Sequence, residues 1–421
     1  MRLERRTLSG TEGAEALAAE VRALVPGAAS VAEDVVRIVL DVRHGGDEAL
    51  DRYRRELDAG GGDPGPLRVP PEEIERARAE IDLDVRAALE LAIANVRAVA
   101  EAGVDAEREV GLPEGQRVVL REVPVARAAV YVPGGRAPYP STVIMGAVTA
   151  GAAGVREVVV CTPSEDPLVL AACALAGVDE VYRMGGAHAI AALAHGTESI
   201  RQVDVIVGPG NLWVQEAKLV VRGEVGIDGF AGPSDLLVVL AGSSAEEVRL
   251  AALDLRAQGE HGADSLVVAV SPEPALLDAL AAELADAPEP APCALVQTPD
   301  LEGALAFAEA FAPEHLELIG AEAEALAPRI SRAGCLFVGA GAATAFGDYL
   351  AGSNHVLPTD GAARYASGLS ARTFRRRMAE VRIPPDAAAS LAPHGAALAR
   401  AEGFAAHEAS MRARIRENGA S

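Results

Sequence analysis

The sequence predicts an α/β fold in which a parallel sheet is covered by helices on both faces. From about residue 118 onward, short apolar runs alternate with Ala-rich helical stretches. Strands that are apolar without interruption are typical of a buried parallel sheet. The chain has 421 residues, of which 50% are hydrophobic and 24% charged. This length predicts two or three domains, and this composition supports packed cores rather than disorder.

Individual elements follow from local patterns. Residues 14–56 and 71–102 are predicted to be amphipathic helices on either side of the Gly/Pro-rich segment 60–66. The last fifty residues return to a helical pattern. The predicted strands are VVL (118–120), AAVYV (128–132), EVVVC (157–161), VDVIV (203–207), LLVVL (236–240), SLVVAV (265–270), ALVQ (294–297) and CLFVG (335–339). Residues 158–180 and 266–288 look alike, which suggests a duplicated Rossmann-like half, although βα units share this pattern for physical reasons alone.

Charge and cysteine content exclude several classes of function. The formal charge of −23 would repel a phosphate backbone, so nucleic acid is not an expected partner. The four cysteines lie far apart without a C-x-x-C pair, which excludes a thiolate zinc knot and fits a reducing cytoplasm. The first residues lack the apolar core of a signal peptide, and the longest uncharged run, 137–155, is broken by proline and glycine. We therefore expect a soluble, cytoplasmic protein without a membrane partner.

Two glycine-rich turns precede predicted helices. They are YVPGGR (131–136) and IVGPGN (206–211). Small residues at a helix N-terminus let a phosphate group reach backbone N–H groups, so either turn is a candidate nucleotide cradle. Neither matches G-x-G-x-x-G, and an ordinary strand-to-helix turn also needs glycine. Both interpretations stay open.

Nitrogen and oxygen ligands for a metal recur in the second half of the chain. Gln258 and His261 are three residues apart near the end of a helix that a Ser/Glu capping box starts at Ser243 or Ser244. Asp348 lies in the polar loop 347–359, and His407 follows close to the C-terminus. Together they would make a thiolate-free divalent site compatible with zinc, although each alone also fits an ordinary surface position.

The adjacent pair Glu314 and His315 suits general acid–base chemistry. Pro313 ends the preceding helix, so we expect the pair on a loop where both side chains face one cleft. The alternative is a solvated turn.

At this level of detail the chain resembles the histidinol dehydrogenase family. The resemblance covers nearly the whole chain. It rests on the motifs YVPGG (131–135), GGAHAIAALAHGTES (185–199), VGPGN (207–211) with EAK (216–218), GIDGFAGPSD (226–235), AQGEH (257–261), PEHLEL (313–318), GDYLAGSNHVLPT (347–359) with SGLS (367–370), and EGFAAH (402–407).

The resemblance implies two Rossmann-like parallel-sheet domains and a domain-swapped homodimer with helical N- and C-terminal segments. It implies oxidation of L-histidinol through an aldehyde to L-histidine with two NAD. The implied division is 1–25 as an N-terminal helical segment, 26–130 with 236–370 as the first domain carrying the metal and catalytic residues, 131–235 as the NAD-side domain, and 371–421 as a tail that completes the partner's site.

Residue roles also follow from the resemblance. One zinc ion per subunit would be held by Gln258, His261, Asp348 and, from the partner, His407. His315 would be the general base, and Glu314 would activate the water that hydrates the aldehyde. The residues implied to contact substrate are Ser234, Gln258, His261, Glu314, His315, Asp348, His355, Glu402 and His407, and those implied to contact NAD are Tyr131, His188 and Asn211.

Three positions depart from the family pattern. His188 stands where glutamine is usual, Asp235 where glutamate is usual, and Arg256 where an apolar residue is usual. These departures leave open a zinc/NAD dehydrogenase of another small polar alcohol, such as sulfopropanediol. His355 and Glu402, both present, favour histidinol. A non-catalytic ligand-binding dimer is a third reading, but it predicts the loss of His315 or of a metal ligand, and none is missing.

Overall fold

The computed structural model describes residues 1–25, 30–134, 137–229 and 232–415. The end of the first glycine-rich turn, Gly135 and Arg136, lies outside the described residues. So do the first four residues of the predicted 26–130 segment, two residues of the GIDGFAGPSD motif and the last six of the tail.

Helices occupy much of both chain ends and alternate with strands between them. They are α1 (Ala14–Arg22), α2 (Ala32–Tyr53), α3 (Pro71–Glu80), α4 (Leu83–Ala102), α5 (Pro140–Val143), α6 (Thr149–Ala152), α7 (Pro167–Ala176), α8 (Gly186–His195), α9 (Leu212–Val221), α10 (Ala245–Gly259), α11 (Pro274–Glu283), α12 (Leu301–Phe311), α13 (Ala321–Glu324), α14 (Thr344–Tyr349), α15 (Pro385–Ala401) and α16 (Ala405–Arg412).

The strands form three sheets. They are β1 (Arg2–Thr7), β2 (Arg108–Gly111), β3 (Arg117–Pro124), β4 (Arg127–Tyr131), β5 (Glu157–Thr162), β6 (Val181–Arg183), β7 (Val205–Val207), β8 (Gly226–Ile227), β9 (Asp235–Leu240), β10 (Leu266–Ser271), β11 (Pro292–Gln297), β12 (His315–Ile319), β13 (Cys335–Val338) and β14 (Arg375–Arg382).

Sheet A has six parallel strands in the order β1-β11-β10-β9-β12-β13. Both of its faces are buried, as uninterrupted apolar strands require. Leu236 and Val238 of β9 pack with α10 and α11, whereas Leu237 and Val239 pack with α1 and α12 on the opposite face. This alternation places a helical layer on each side of the sheet.

Sheet B has five parallel strands in the order β6-β5-β4-β7-β8. Its core includes Ala129, Val159 and Ile206, which pack with apolar residues of α2, α8 and α9. Helix α2 therefore packs on sheet B, although its residues fall in the segment assigned from the sequence to the first domain. The four-part domain division stays a prediction.

The chain divides into two compact units, Met1–Gly103 with Val125–Phe374, and Val104–Pro124 with Arg375–Ser421. The first unit contains sheets A and B. The second contains the antiparallel sheet β14-β3-β2 and the packed helices α15 and α16. None of the helices in the described parts of the chain is long and apolar enough to cross a lipid bilayer.

Most elements agree with the sequence prediction. The strand predicted at 118–120 is present within β3, but its expected place in a parallel sheet is wrong, because β3 pairs antiparallel with β2 and β14. The helical stretch 71–102 is confirmed as α3 and α4, and the predicted strands 128–132, 157–161 and 236–240 are confirmed as β4, β5 and β9. The prediction of an entirely helical N-terminal segment is wrong for residues 2–7, which add β1 to the edge of sheet A. The prediction of an entirely helical tail is wrong for residues 375–382, which form β14.

Candidate active site

The candidate site lies at the edge of sheet A where strands β9 and β12 begin. Asp235 is the first residue of β9, and His315 is the first residue of β12. These strands are parallel neighbours, with His315 aligned to Leu236. Because the two strands are parallel and begin at the same level of the sheet, the residues at their amino ends lie next to each other. The prediction that His315 lies on a loop is wrong, because it begins a buried strand.

Glu314 is held by hydrogen bonds from both sides of this edge. Its Oε2 atom accepts from the Ser234 hydroxyl at 2.6 Å and from the backbone N–H of Asp235 at 3.1 Å. Its own backbone N–H donates to Asp235 Oδ1 at 2.8 Å. Burial and then the charge of Asp235 raise the pKa of Glu314 well above its usual value. In the metal-free protein this carboxyl group therefore tends to hold a proton.

The hydrogen bond made by His315 fixes its tautomer. The Nδ1 atom lies 3.1 Å from the backbone oxygen of Asp235. A carbonyl oxygen only accepts, so Nδ1 carries the proton and Nε2 keeps a free lone pair. Burial lowers the pKa of His315, which favours the neutral ring at neutral pH. Since Nδ1 also lies 3.7 Å from Glu314 Oε2, an oriented base stands beside a buried acid.

An arginine from the first helix completes this network. Arg22 of α1 lies 3.1 Å from Asp235 Oδ2 and donates to the backbone oxygen of Phe311 at 2.5 Å. Its guanidinium also stacks on the Phe311 ring, 3.9 Å from the centroid. Burial raises the pKa of Asp235, and the charge of Arg22 opposes that rise. The Asp235 carboxylate is thus engaged by Arg22 and by the backbone of Glu314.

Gln258 and His261 meet at the end of α10, as their spacing predicts. The Ser244–Glu247 capping box is present, and the Gln258 side-chain nitrogen lies 2.6 Å from Ser234 Oγ and 3.4 Å from His261 Nδ1. Gln258 is buried, whereas His261 is exposed. The surrounding protein and then the charge of His315 lower the pKa of His261. The predicted ligand pair therefore adjoins the acid–base pair.

Asp348 and His355 approach the same place from the polar segment after β13. Asp348 lies on the short helix α14, which corrects its predicted loop position. His355 Nδ1 lies 3.1 Å from the backbone oxygen of Asp348, so this nitrogen donates and Nε2 keeps its lone pair. Burial raises the pKa of Asp348, and the charge of His315 opposes that rise. Asp348 is thus electrostatically coupled to the proposed base.

The donors in the first unit fit a zinc ion by their chemistry. Gln258, His261 and Asp348 offer an amide oxygen, an imidazole nitrogen and a carboxylate, which are ligands that zinc accepts. Gln258 must turn its amide group to present the oxygen. Within the described ranges, no three His, Cys, Asp or Glu side chains converge closely enough to hold a metal ion. Of the three proposed ligands in the first unit, only His261 and Asp348 are of these four residue types. A fourth ligand from elsewhere is therefore needed to complete a zinc site.

Two predicted site residues lie in the second unit. Glu402 follows α15 and His407 lies on α16, and both are exposed. The His407 ring contacts Phe404, with the ring centroids 5.3 Å apart. Their roles stay predictions.

His355, whose side chain is 14% exposed, should make the stability of the metal-free protein pH-dependent. Burial lowers the pKa of His355 from 6.5 to about 4. Between these values the unfolded chain binds a proton that the folded chain rejects, so stability falls as the pH falls below 6.5. From pH 7 to pH 5 the free energy of unfolding should fall by about 2 kcal/mol through this residue.

Denaturant unfolding with a chelator present, at both pH values, checks this. His355→Asn keeps a donor for the Asp348 carbonyl and should reduce the pH dependence by that amount. An unchanged difference between the two pH values would show that His355 is not the source.

Tyr131 and Asn211, two of the residues predicted to contact NAD, lie where the strands of sheet B end. Tyr131 is the last residue of β4, and its hydroxyl accepts from the backbone N–H of Gly186 at 3.2 Å. Gly208 follows β7 with a φ of 119°, and a Cβ there would overlap the carbonyl oxygen of Tyr131. Asn211 caps α9, its side-chain oxygen accepting from Val214 N at 3.2 Å. Turns that follow parallel strands at a carboxyl edge are where α/β folds bind nucleotides.

Lys218, the single lysine of the chain, contacts the second glycine-rich turn through its side chain. Its Nζ atom donates to the backbone oxygen of Gly208 at 3.1 Å and forms an ion pair with Asp228. Asp228 in turn accepts from the backbone N–H of Gly208 at 2.7 Å. Lys218 is buried, so this ion pair fixes the turn from inside the protein.

The close approach at Gly208 predicts a large cost for adding one methyl group. Gly208→Ala should lower the free energy of unfolding by about 3 kcal/mol or more, through backbone strain and overlap with Tyr131. Gly223 is a matched control, because its φ is 121° and no atom lies near its added Cβ. Gly223→Ala should cost only the backbone term, about 1 kcal/mol. Equal losses for both variants in denaturant unfolding would contradict the close approach.

The three departures from the family pattern each have a structural setting. His188 is fully buried, its Nε2 atom lies 3.0 Å from Asp58, and its ring stacks on Tyr53 at 5.9 Å. The predicted NAD contact of His188 stays untested. Arg256 lies 3.0 Å from Glu289, so its charge is paired on α10. The shorter carboxylate at Asp235 is turned toward Arg22.

Sequence reasoning missed two contributors to the site. Arg22 and the carboxylate of Asp235 orient the acid–base pair, yet only the unusual residue at 235 had been noted. The sequence did contain one indication of this role: an acidic residue, Asp235, begins an otherwise apolar strand. A buried carboxylate needs a partner, so such a residue points to an ion pair or hydrogen bonds. Nothing local marked Arg22, whose partner lies 213 residues away.

Oxidation of an alcohol needs a base for the hydroxyl proton and an acceptor for the hydride. The neutral, oriented imidazole of His315 can serve as the base, and the same unit carries sheet B with turns of the kind that bind nucleotides. The fold and site therefore define an α/β dehydrogenase. The chain matches the histidinol dehydrogenase family over residues 26–415 and belongs to that family.

Individual relatives agree with this assignment. Histidinol dehydrogenase of Thermobifida fusca is 42% identical, with 94% of this chain and 95% of the relative covered. That of Thermus thermophilus is 44% identical, with 90% and 93% covered. The crystal structure of histidinol dehydrogenase from Elizabethkingia anophelis superimposes with a TM-score of 0.89 at 28% identity, covering 98% of each chain.

Proposed function

We propose that this chain oxidises L-histidinol through L-histidinal to L-histidine and reduces two NAD in succession. The observation that carries the proposal is the geometry of His315. Its Nδ1 donates to Asp235 O at 3.1 Å, so Nε2 is free to accept the proton of a substrate hydroxyl. The low pKa that burial gives this ring keeps it neutral and ready to do so.

Each oxidation removes two electrons from the substrate carbon. In the first, the C–H bond breaks as a hydride leaves for NAD, and the hydroxyl proton passes to His315 Nε2. Glu314 then accepts a proton from the water that adds to the aldehyde. This leaves the hydrate as a monoanion, and His315 returns its first proton to solvent. In the second oxidation, the hydrate anion loses a hydride to another NAD and its remaining hydroxyl proton to His315, and a carboxylate results. Glu314 needs its ionised form for its step, although burial raises its pKa, so a nearby positive charge must favour that form.

We propose that Gln258, His261 and Asp348 hold zinc together with His407 of the partner subunit. When bound, zinc would supply a positive charge and an anchor for substrate nitrogens. Ser234, His355 and Glu402 would contact the substrate, and Tyr131, His188 and Asn211 would contact NAD. A homodimer follows from the shared ligand, and the buried or partly buried free cysteines are consistent with a cytoplasmic location.

A stoichiometric assay tests the function. Purified protein loaded with zinc should form two NADH per histidinol consumed, lose this activity to a chelator and regain it with zinc. Protein that contains zinc yet is inert on histidinol would contradict the proposal. Activity on another polar alcohol in the same assay would indicate the related dehydrogenase, and binding without any turnover would indicate the ligand-binding dimer.

A further inference from the structure

Glu317 is a buried carboxyl group for which the proposed reaction has no use. It lies on β12 two residues after His315, and side chains two apart point to the same face of a strand. Its exposed fraction is 1%. Charged side chains are rarely buried to this extent unless they have a partner that matters to the structure around them. Glu317 therefore needs an explanation.

One oxygen of Glu317 ties β12 to the helix that carries Asp348. Its Oε1 atom accepts from the backbone N–H of Thr344 at 2.8 Å and from the Thr344 hydroxyl. Thr344 is the first residue of α14, and Asp348 lies one turn further on. Gly347 holds the same helix against β13, because a Cβ there would overlap the Phe337 ring. The start of α14 is thus fixed to the strand that carries His315.

The side chain of Glu317, with its other oxygen, lies on the face of β12 that also carries Ile319, which packs with α10. Helix α10 carries Gln258 and ends at Gly259, just before His261. Oε2 is buried and has no hydrogen-bond partner among the residues that the structure describes. Asp254 lies on α10 one turn before Gln258. Burial raises the pKa of Glu317, and the charge of Asp254 raises it further. Burial and the Asp254 charge therefore both disfavour the ionised form of Glu317.

We propose that Glu317 is a positioning residue for the zinc site, joining β12 with its base to α14 with Asp348 on the side of the sheet that α10 covers. This inference rests on the zinc site of the proposed function. Groups that orient metal ligands from behind commonly change metal affinity by 10- to 100-fold when they are removed. Glu317 would act in that way without touching the metal.

The test measures the zinc dissociation constant of the full-length protein by competition with a chromophoric chelator. Glu317→Leu removes both oxygens and should weaken zinc binding by about 10- to 100-fold. Glu317→Gln keeps an oxygen acceptor for Thr344, so it should bind zinc within about threefold of the wild type. Thr344→Val removes one of the two hydrogen bonds to Glu317 and should weaken zinc binding by a smaller factor. This variant still tests the inference if Glu317→Leu does not fold.

A destabilising control separates positioning from general loss of structure. Ile319 is buried on the same strand and packs with α10, away from the amino end. Ile319→Ala should destabilise the metal-free protein yet leave the zinc dissociation constant within about threefold of the wild type. Wild-type affinity in both Glu317→Leu and Thr344→Val, or equal weakening in Glu317→Leu and Ile319→Ala, would overturn the inference.

The proposed zinc site is tested separately in the same assay. Asp348→Asn should weaken zinc binding more than any of these variants. If the wild type binds no zinc, or if Asp348→Asn binds it normally, the site itself is wrong and the inference falls with it.

Discussion

His315→Asn should lower kcat on histidinol by roughly two to four orders of magnitude, which is the range that one general base contributes. The asparagine side chain can still donate to Asp235 O, as His315 Nδ1 does at 3.1 Å. It has no basic nitrogen to take the hydroxyl proton. The zinc content should stay near that of the wild type, because His315 is not in the proposed ligand set. Steady-state NADH formation and metal analysis of the same preparation measure both quantities.

A surface histidine provides the control for this variant. His394 is exposed on α15, and His394→Asn should leave kcat unchanged. If His315→Asn retains kcat within a few-fold of the wild type, another group is the base. If it loses its zinc as well, His315 has a structural role in the metal site that the proposed mechanism does not include.

His407→Asn should lower zinc affinity by at least about 100-fold, since even groups behind the ligands cost 10- to 100-fold. The activity should fall with the zinc occupancy and return in part at high zinc concentration. This response distinguishes a lost ligand from the lost base of His315→Asn, whose activity extra zinc should not restore. Titration of activity against free zinc measures the difference.

Mixing the two inactive variants tests whether sites are shared between subunits. If His407 acts in the partner's site, a mixed dimer has one site with both defects and one intact site. Random mixing of equal amounts makes half of the dimers mixed, so roughly a quarter of the wild-type activity should return at saturating substrate. A mixture as inactive as its parents, after subunit exchange is verified, would contradict the shared site.

The elements that sequence reasoning predicted are those specified by local pattern. Strand β9 is an unbroken apolar run, and helix α10 begins at the Ser244–Glu247 capping box. Such elements could be predicted because burial on both faces and capping both leave a mark within a few residues. For the same reason the closeness of Gln258 and His261 followed from their spacing, although α10 ends at Gly259 and His261 lies in the turn that follows it.

The elements that sequence reasoning missed depend on partners distant in the chain. Strand β1 is rich in charge, and it forms because its backbone pairs with β11 some 290 residues away. Charged side chains are common on edge strands, where they discourage further pairing, so its composition resembled a solvated segment. Glu314 and His315 resembled a loop because Pro313 ends the preceding helix, and only the pairing with β9 shows that a strand begins there.

The roles of Arg22 and Glu317 could not be predicted, because each depends on how separate elements pack. Arg22 belongs to the helix α1, and its partner Asp235 opens β9. Glu317 meets Thr344 only because α14 begins beside β12. The sequence therefore predicts the groups proposed for the chemistry, whereas the structure shows the groups that contact them from distant parts of the chain.

The most direct test of the account is the position of zinc in crystals of the protein loaded with zinc, located by anomalous scattering at the zinc edge. We predict one ion per subunit, about 2.0–2.2 Å from donor atoms of Gln258, His261 and Asp348, with His407 of the partner subunit as the fourth protein ligand. The His315 ring should lie beside that site with its Nε2 atom free. An ion bound elsewhere, or no ion at these residues in protein that oxidises histidinol, would contradict the account.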